Sequence, residues 1–199
     1  MGRTLEWQRR MTELHGCRIT SHDADLSTKE GVDSFGQAVL AGCETADVLV
    51  NNAGLFEPGN LLEEPEGQLE RMLAVNLISA HRLTRLLVPG MVRRRSGHIF
   101  NICSVAALKA YEHGGSYSVS KWALLGFTRN LREELKPHGV KVTAVHPGAT
   151  MTASWDGSGI EPSRIMEARD VADMVATSAM LSPQACVEEI VMRPQLGDL

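Results

Sequence analysis

Short apolar runs separated by longer helical patterns constrain the fold of this chain most strongly. Four such runs are "ADVLV" (46–50), "HIFNIC" (98–103), "VKVTAV" (140–145) and "EEIVM" (188–192), and a weaker one is "CRITSH" (17–22). Each is short and almost uninterrupted, which is typical of strands buried on both faces. Strands that alternate with helices predict an α/β fold, in which a parallel sheet is built through right-handed crossovers.

Three helical stretches separate these runs. The first covers about 66–94, the second about 116–136 and the third 169–181. Gly139 lies just past the second stretch, where it can end the helix. The first stretch has one apolar stripe that includes a carboxamide, formed by Leu69, Leu73, Asn76, Ala80, Leu83, Leu87 and Met91.

Composition narrows the classes of function. The chain has 199 residues, 43% of them hydrophobic and 22% charged, which predicts one globular domain over 1–199. A net charge of −4 with scattered Lys and Arg argues against a nucleic-acid partner. No signal peptide and no run long enough to span a bilayer is present, so we expect no membrane partner. The four cysteines and seven histidines lack metal-ligand spacing, which predicts no metal site and a reduced, cytoplasmic location.

Polar and glycine-containing segments follow the predicted strands. "DADLS" (23–27) follows the first run, "NNAG" (51–54) the next, Ser104 the third and "HPGATMT" (146–152) the fourth. The carboxyl ends of parallel strands share one edge of the sheet, where ligands bind. The clustering therefore predicts a ligand site at that edge.

Tyr117 and Lys121 are four residues apart in "YSVSK" and would share one helix face. A phenol has a pKa near 10, and a nearby ammonium lowers that pKa, which makes tyrosine a usable acid or base. The alternative is an ordinary amphipathic helix start, because this spacing is common by chance.

Ser104 and Asn76 also have two interpretations each. Ser104 either contacts a ligand or only caps the turn after its strand. Asn76 lies on an apolar stripe, where a carboxamide is costly unless it is hydrogen-bonded. It could pin its helix to a strand end, serve a ligand site, or do both.

Five motifs together resemble the short-chain dehydrogenase/reductase family of the classical type. They are "NNAG" (51–54), "AVNL" (74–77), "SVAA" beginning at Ser104, "YSVSK" (117–121) and "PGATMT" (147–152). Their order and spacing match the family over nearly the whole chain. The resemblance implies a Rossmann-like doubly wound parallel sheet. It also implies an NAD(P)-dependent oxidoreductase that interconverts a small-molecule carbonyl and an alcohol.

The resemblance assigns catalytic roles to four residues. Tyr117 would donate a proton to the carbonyl oxygen as hydride arrives, or remove it in the reverse direction. Lys121 would lower the pKa of Tyr117 and hydrogen-bond the nicotinamide ribose. Ser104 would hold and polarise the substrate oxygen. Asn76 would position a water that links Lys121 to solvent.

The resemblance also implies a cofactor-binding surface that includes Tyr117 and Lys121. Its adenine end would be contacted by Asp25 and Leu26. Its adenosine ribose would be lined by the residues after one strand: Asn52, Ala53 and Gly54. Its nicotinamide end would be held by the residues after another: Pro147, Gly148, Thr150 and Thr152. Arg3 lies near the family's position for an arginine that meets the 2′-phosphate, which favours NADP over NAD weakly. The alternative is that Arg3 is simply an exposed arginine at the start of a helix.

The family's glycine-rich pyrophosphate loop has no counterpart in this sequence. Residues 2–16 match a later helix and its exit, so we expect an N-terminally truncated sheet that lacks the first two strands and the loop. The run at 17–22 would then have no partner, 46–50 would be an exposed edge, and dinucleotide binding by this chain would be poor. Either Met1 is a wrongly chosen start of a complete enzyme, or the short form is an inactive binding or dimerisation module.

The resemblance also has implications for subunit partners and for the segment that would cover the substrate. A homodimer or homotetramer is implied through the helices at about 66–94 and 115–136, although their apolar stripes could equally cover the chain's own sheet. Residues 151–168 are expected to form a lid, in which Met151 and Trp155 could contact an apolar ligand and Gly157 and Gly159 would permit hinge motion. The tail after 192 could lie near the site or at a subunit interface.

Overall fold

A four-stranded parallel sheet lies at the centre of the computed structural model. The structure describes residues 2–155 and 157–199, except for the side chains of 2–5 and 154. The strands are β1 (Val48–Asn51), β2 (Gly97–Ile102), β3 (Val140–Pro147) and β4 (Glu189–Met192). They pair in the order β1-β2-β3-β4, and every pairing is parallel. The four stronger apolar runs of the sequence are therefore strands, as predicted.

The described residues also form six α-helices. They are α1 (Gly2–His15), α2 (Lys29–Gly42), α3 (Gln68–Leu73), α4 (Ser79–Arg94), α5 (Gly115–Leu135) and α6 (Ala168–Ala179). The stretch predicted as one helix over 66–94 is divided by a π-helical turn, Ala74–Ile78, which joins α3 to α4. Gly139 has φ +69° after α5, which fits its predicted role in ending that segment.

Helices cover both faces of the sheet. On one face, Leu49, Ile99 and Val142 pack with Leu87 of α4 and Leu131 of α5. The opposite face is covered by α6, whose Val171 and Val175 pack against a buried group of strand residues: Phe100, Val145 and Ile190. The predicted α/β, Rossmann-like arrangement with two helical layers is therefore confirmed.

The prediction of a strand at 17–22 is wrong, because that segment forms no strand in the described structure. A strand requires a neighbour for its ladder hydrogen bonds, and none of the described strands lies beside this segment. The expected edge position of β1 is observed. Val48 and Val50 point to the face of β1 that α4 does not cover, and each is 43% exposed.

Within the part of the chain that the structure describes, no helix combines the length and the apolar character needed to cross a bilayer.

Candidate active site

A cavity of about 560 Å³ lies at the carboxyl-terminal edge of the sheet. Gly54 reaches it from the segment after β1, Ser104 from the segment after β2, and Gly148 from the segment after β3. Tyr117 and Lys121 enter it from the first turns of α5. The cavity is therefore at the edge where the sequence predicts a ligand site.

The structure brings together only part of the predicted site. The predicted residues that line the cavity are Gly54, Ser104, Tyr117, Lys121, Pro147, Gly148, Thr150 and Thr152. Asn76 lies behind the cavity wall, and the residues predicted for the adenosine end do not reach the cavity. Those residues are Asp25, Leu26, Asn52 and Ala53.

Tyr117 is largely buried in the cavity wall. Burial raises the pKa of its phenol, whereas the side chain of Ser104 acts in the opposite direction and lowers it. The ammonium nitrogen of Lys121 lies 5.8 Å from the centroid of the Tyr117 ring. The expected net lowering of the Tyr117 pKa is therefore not found, because desolvation of the phenolate dominates. The phenol is protonated at neutral pH and can donate a proton.

Lys121 is only 5% exposed, and burial lowers the pKa of its ammonium from the ordinary 10.5 to about 8. The group therefore stays charged at neutral pH. Its Nζ donates a hydrogen bond of 2.9 Å to the carbonyl oxygen of Ile102, at the end of β2. An ammonium has three donor hydrogens, so this contact fixes the side chain and leaves two donors for a ligand in the cavity.

Ser104 follows β2 in an extended conformation and caps a short 3₁₀ turn, Val105–Ala107. Its Oγ accepts a hydrogen bond of 3.1 Å from the N–H of Ala106. The capping interpretation is thus correct, and the same hydroxyl also lines the cavity. A capped serine has a defined orientation, and its O–H remains free to donate because the cap engages only a lone pair.

Asn76 lies in the π-helical turn and is 1% exposed. Its Oδ1 accepts a hydrogen bond of 2.7 Å from the N–H of Leu55, and its Nδ2 donates to the Leu55 carbonyl at 3.0 Å. The same Nδ2 donates to Ser120 Oγ at 2.8 Å, and Ser120 in turn donates to the Tyr117 carbonyl at 2.7 Å. Asn76 therefore pins the segment after β1 to the start of α5. Its role in a proton relay stays a prediction.

The predicted adenine contacts form a separate, exposed region before α2. Asp25 Oδ1 accepts hydrogen bonds from Ser27 N at 2.9 Å and from Ser27 Oγ at 2.6 Å, and these bonds lower the pKa of the Asp25 carboxyl. The Asp25 carbonyl also accepts from Thr28. Leu26 is half-buried, and Asn52 and Ala53 are exposed beyond the end of β1.

Glu64 is a positioning group that the sequence did not reveal. Its Oε1 accepts a hydrogen bond of 2.8 Å from the N–H of Ser116, and its Oε2 accepts from Ser116 Oγ. The carboxylate thereby satisfies an otherwise unpaired donor in the first turn of α5, next to Tyr117. Glu64 and Ser116 are 52 residues apart. Only the tertiary structure brings them together, and no local pattern could have indicated the pair.

The lid and the tail both meet the cavity. The segment after β3 is closed at its base by a hydrogen bond of 2.8 Å from Met151 N to Met166 O, and Trp155 within it lines the cavity. Met151, which was predicted as a second apolar contact, is not part of the lining. Asp156 lies outside the described residues.

The tail lies near the site, which is one of the two positions that the sequence left open. Its Arg193, Asp198 and Leu199 line the cavity. Arg164 fastens it by donating to the carbonyl oxygens of Gly197 at 3.0 Å and Asp198 at 3.1 Å.

The donors at this edge fit the ribose and nicotinamide end of a dinucleotide. A Cβ on Gly54 would lie 3.5 Å from Lys121 Nζ and 3.6 Å from Asn76 Oδ1, so glycine keeps the backbone open beside the ammonium. Ribose hydroxyls accept and donate hydrogen bonds, which suits an ammonium with two available donors. Among the described residues, no cluster of three or more His, Cys, Asp or Glu side chains could hold a metal ion.

Comparison with known proteins gives a consistent result. Residues 3–160 match the family model described as short chain dehydrogenase. Over 177 residues the chain is 34% identical to sepiapterin reductase of Chlorobaculum tepidum, a match that spans 88% of this chain and 72% of that protein. It is 36% identical over 145 residues to nodulation protein G of Rhizobium meliloti, which spans 73% of this chain and 59% of the relative.

A solved structure resembles the chain over most of its length. This structure is a metagenomic short-chain oxidoreductase in complex with NADP, with a TM-score of 0.80 and 34% identity. The match covers 96% of this chain and 80% of that one. The family match and these relatives confirm the family and the oxidoreductase class predicted from the sequence. The chain therefore belongs to the short-chain dehydrogenase family.

Proposed function

We propose that this chain contains the catalytic site of an NAD(P)-dependent oxidoreductase that interconverts a carbonyl and an alcohol, with Tyr117 as the acid or base. One observation supports this proposal above all others. Ser104 from the segment after β2 meets Tyr117 and Lys121 from α5 in one cavity at the sheet edge. Their burial excludes much of the competing solvent, which strengthens electrostatic interactions among them.

Each side chain has a defined task in carbonyl reduction. The bound nicotinamide would supply the hydride that reaches the carbonyl carbon. Tyr117 donates its phenolic proton to the carbonyl oxygen, and its raised pKa keeps that proton in place at neutral pH. Ser104 donates a hydrogen bond to the same oxygen, where negative charge develops. Lys121 remains charged and stabilises the phenolate that Tyr117 becomes.

Residues along the sheet edge would hold the dinucleotide. Lys121 would donate to the nicotinamide ribose, and Gly54 leaves room beside it. Residues that line the cavity after β3 would hold the nicotinamide end: Pro147, Gly148, Thr150 and Thr152. The NADP bound to the metagenomic relative supports NADP as the cofactor. Arg3, the residue behind the weak preference for NADP, lies in α1, and its side chain is outside the described structure.

The two tyrosines of the chain provide a direct test, because both line the cavity. Ketone reduction would be followed by the loss of NADPH absorbance, in the 199-residue chain and in a form extended at its N-terminus by a glycine-rich βαβ segment. We expect Tyr117→Phe to lower the rate by about 10²–10⁴, because the proton donor is lost. Tyr111→Phe is the matched control and should retain the rate. Equal rates for the two variants would contradict the proposal.

We also propose a homodimer through the helices α4 and α5. Both helices bury their stripes in the chain's own core, yet other apolar side chains on the same helical layer remain exposed. Ile78 is 48% exposed, Val119 42% and Trp122 48%, and the last two are three residues apart on α5. Such a face is typical of a subunit contact. A monomer in sedimentation equilibrium at micromolar concentration would contradict this proposal.

The alternative function is an assembly module without catalysis. The same exposed helical face favours it, since dimerisation does not require the cavity. The Tyr117→Phe experiment distinguishes the two functions. An assembly module gives no turnover with any ketone, whereas an enzyme gives turnover that depends on Tyr117.

A further inference from the structure

Aromatic side chains are scarce in this protein and concentrated at the cavity. The chain has four Phe, three Trp and two Tyr residues. Four of these nine line the cavity described above: Phe56, Tyr111, Tyr117 and Trp155. The hydrophobic core is built mainly from aliphatic residues instead, with Phe100 as its largest fully buried side chain. These four rings therefore serve the cavity, whereas Phe100 and Phe127 pack in the core.

Phe56 is the central ring of this group. Its centroid lies 4.7 Å from that of Tyr117, and the two planes meet at 81°, which is an edge-to-face contact. Its centroid is 6.3 Å from that of Trp155, at 34°. Phe56 therefore links the proposed proton donor on α5 to the lid after β3. A molecule whose carbonyl meets Tyr117 must lie beside this ring.

The rings retain accessible surface. Phe56 and Trp155 are half-buried, and Tyr111 is 46% exposed. Two small residues, Ala106 and Ala110, also line the cavity. Aromatic rings prefer edge-to-face or offset contacts with another ring, and such pairs are more favourable than buried area alone predicts. A saturated ring of the same size lacks that quadrupole interaction.

From this geometry we infer that the cavity selects aryl carbonyl compounds, in which a flat aromatic ring is attached to the carbonyl carbon. Phe56 and Trp155 determine this selectivity. The inference rests on the proposed function in one respect, namely that the carbonyl oxygen lies beside Tyr117. It adds the substrate class, which the catalytic residues alone leave open.

A matched pair of ligands tests the inference without turnover. Acetophenone and cyclohexyl methyl ketone have the same number of carbon atoms and the same methyl ketone, and only the first has an aromatic ring. Binding to the 199-residue chain would be measured by ligand-observed saturation-transfer NMR titration. We expect acetophenone to bind about three- to tenfold more tightly, from one or two favourable ring contacts. Hydrophobic burial alone would give no such preference, since the saturated ring is at least as apolar.

Variants locate the source of the preference. Phe56→Leu and Trp155→Leu should each bring the affinity ratio toward one while the chain still binds the saturated ketone. Trp7→Leu is the matched control, because Trp7 is 56% exposed on α1 and is not part of the cavity lining. It should leave the ratio unchanged. Circular dichroism would confirm that each variant keeps the fold.

The outcomes separate this inference from the proposed function. Equal affinities, a preference for the saturated ketone, or no measurable binding of either ketone would overturn the inference. A ratio that survives both cavity substitutions would overturn it as well. An aryl preference in binding without any ketone turnover would support the inference and count against the proposed enzyme. Turnover of both ketones with no aryl preference would support the proposed enzyme and overturn the inference.

Discussion

The proposed catalytic end of the sheet edge and the proposed adenosine end are built in different ways. At the catalytic end, Ser104 is 7% exposed and Lys121 is 5% exposed, and Lys121 is held by a hydrogen bond to Ile102, 19 residues away at the end of β2. At the adenosine end, Asp25 and Asn52 are exposed. Asp25 forms its side-chain hydrogen bonds with Ser27, only two residues away. Long-range packing therefore fixes the first region, and short-range turns fix the second.

This difference explains why distant residues converge at only one of the two ends. A buried polar group must find hydrogen-bond partners inside the protein. Asn76 does so through Leu55 and Ser120, and Ser120 bonds to the carbonyl of Tyr117. The catalytic geometry thus depends on the folded core. The exposed end can obtain its hydrogen bonds from water, so its geometry depends on local turns.

The largest expected contrast is between two serines, one at each end. Ser104→Ala removes a donor to the developing oxyanion and should lower kcat for ketone reduction by about 10²-fold. Ser27→Ala weakens the turn around Asp25 and should change the KM for NADPH rather than kcat. Steady-state kinetics of both variants would measure these effects. If the two substitutions lowered kcat equally, the division into two regions would be wrong.

A smaller effect is expected from a glycine at the exposed end. A Cβ on Gly31 would lie 1.9 Å from the carbonyl oxygen of Asp25, so the backbone of that turn must move. Gly31→Ala should destabilise the fold by about 1–3 kcal/mol, as overpacking does, while kcat changes little because the cavity is built elsewhere. Urea unfolding would measure the free energy of unfolding, and the reductase assay would measure kcat.

Gly42→Ala is the matched control for this glycine. Gly42 ends the same helix, and a Cβ there would meet no atom within 4 Å. It should be neutral or stabilising by less than about 1 kcal/mol. Equal destabilisation by the two substitutions would show that the Asp25 contact is not responsible.

The sequence predicts the catalytic end well because its signals are local. Uninterrupted apolar runs give the four strands, and the topology of a parallel sheet then places Ser104, Tyr117 and Lys121 at one edge. The helix period places Tyr117 and Lys121 on one face. None of these inferences requires knowledge of which side chains touch, and the structure agrees with each.

Other features could not be predicted from local patterns. The strand expected at 17–22 does not form, since a strand depends on a neighbour and not on its own composition. The contact of Glu64 with Ser116 joins a loop to the first turn of α5, 52 residues away in sequence. The pKa of Tyr117 rises because burial dominates, and burial is a property of the whole fold.

We propose that the charged form of Lys121 makes Tyr117 an effective proton donor. Burial lowers the Lys121 pKa from 10.5 to about 8, so the ammonium is present below that pH and is lost above it. Two neighbouring groups have pKa values away from pH 8. Burial raises the pKa of the Cys103 thiol to about 11 and lowers the pKa of His146 below its ordinary value.

The pH dependence of kcat/KM for ketone reduction would reveal this role of Lys121, because it reports the pKa values of the free enzyme. We expect the rate to be constant near neutral pH and to fall through about pH 8 as Lys121 loses its proton, by up to about tenfold per pH unit. The phenolate formed on Tyr117 would then lack its stabilising charge. A rate that stays constant or rises between about pH 7 and about pH 10 would contradict the claim.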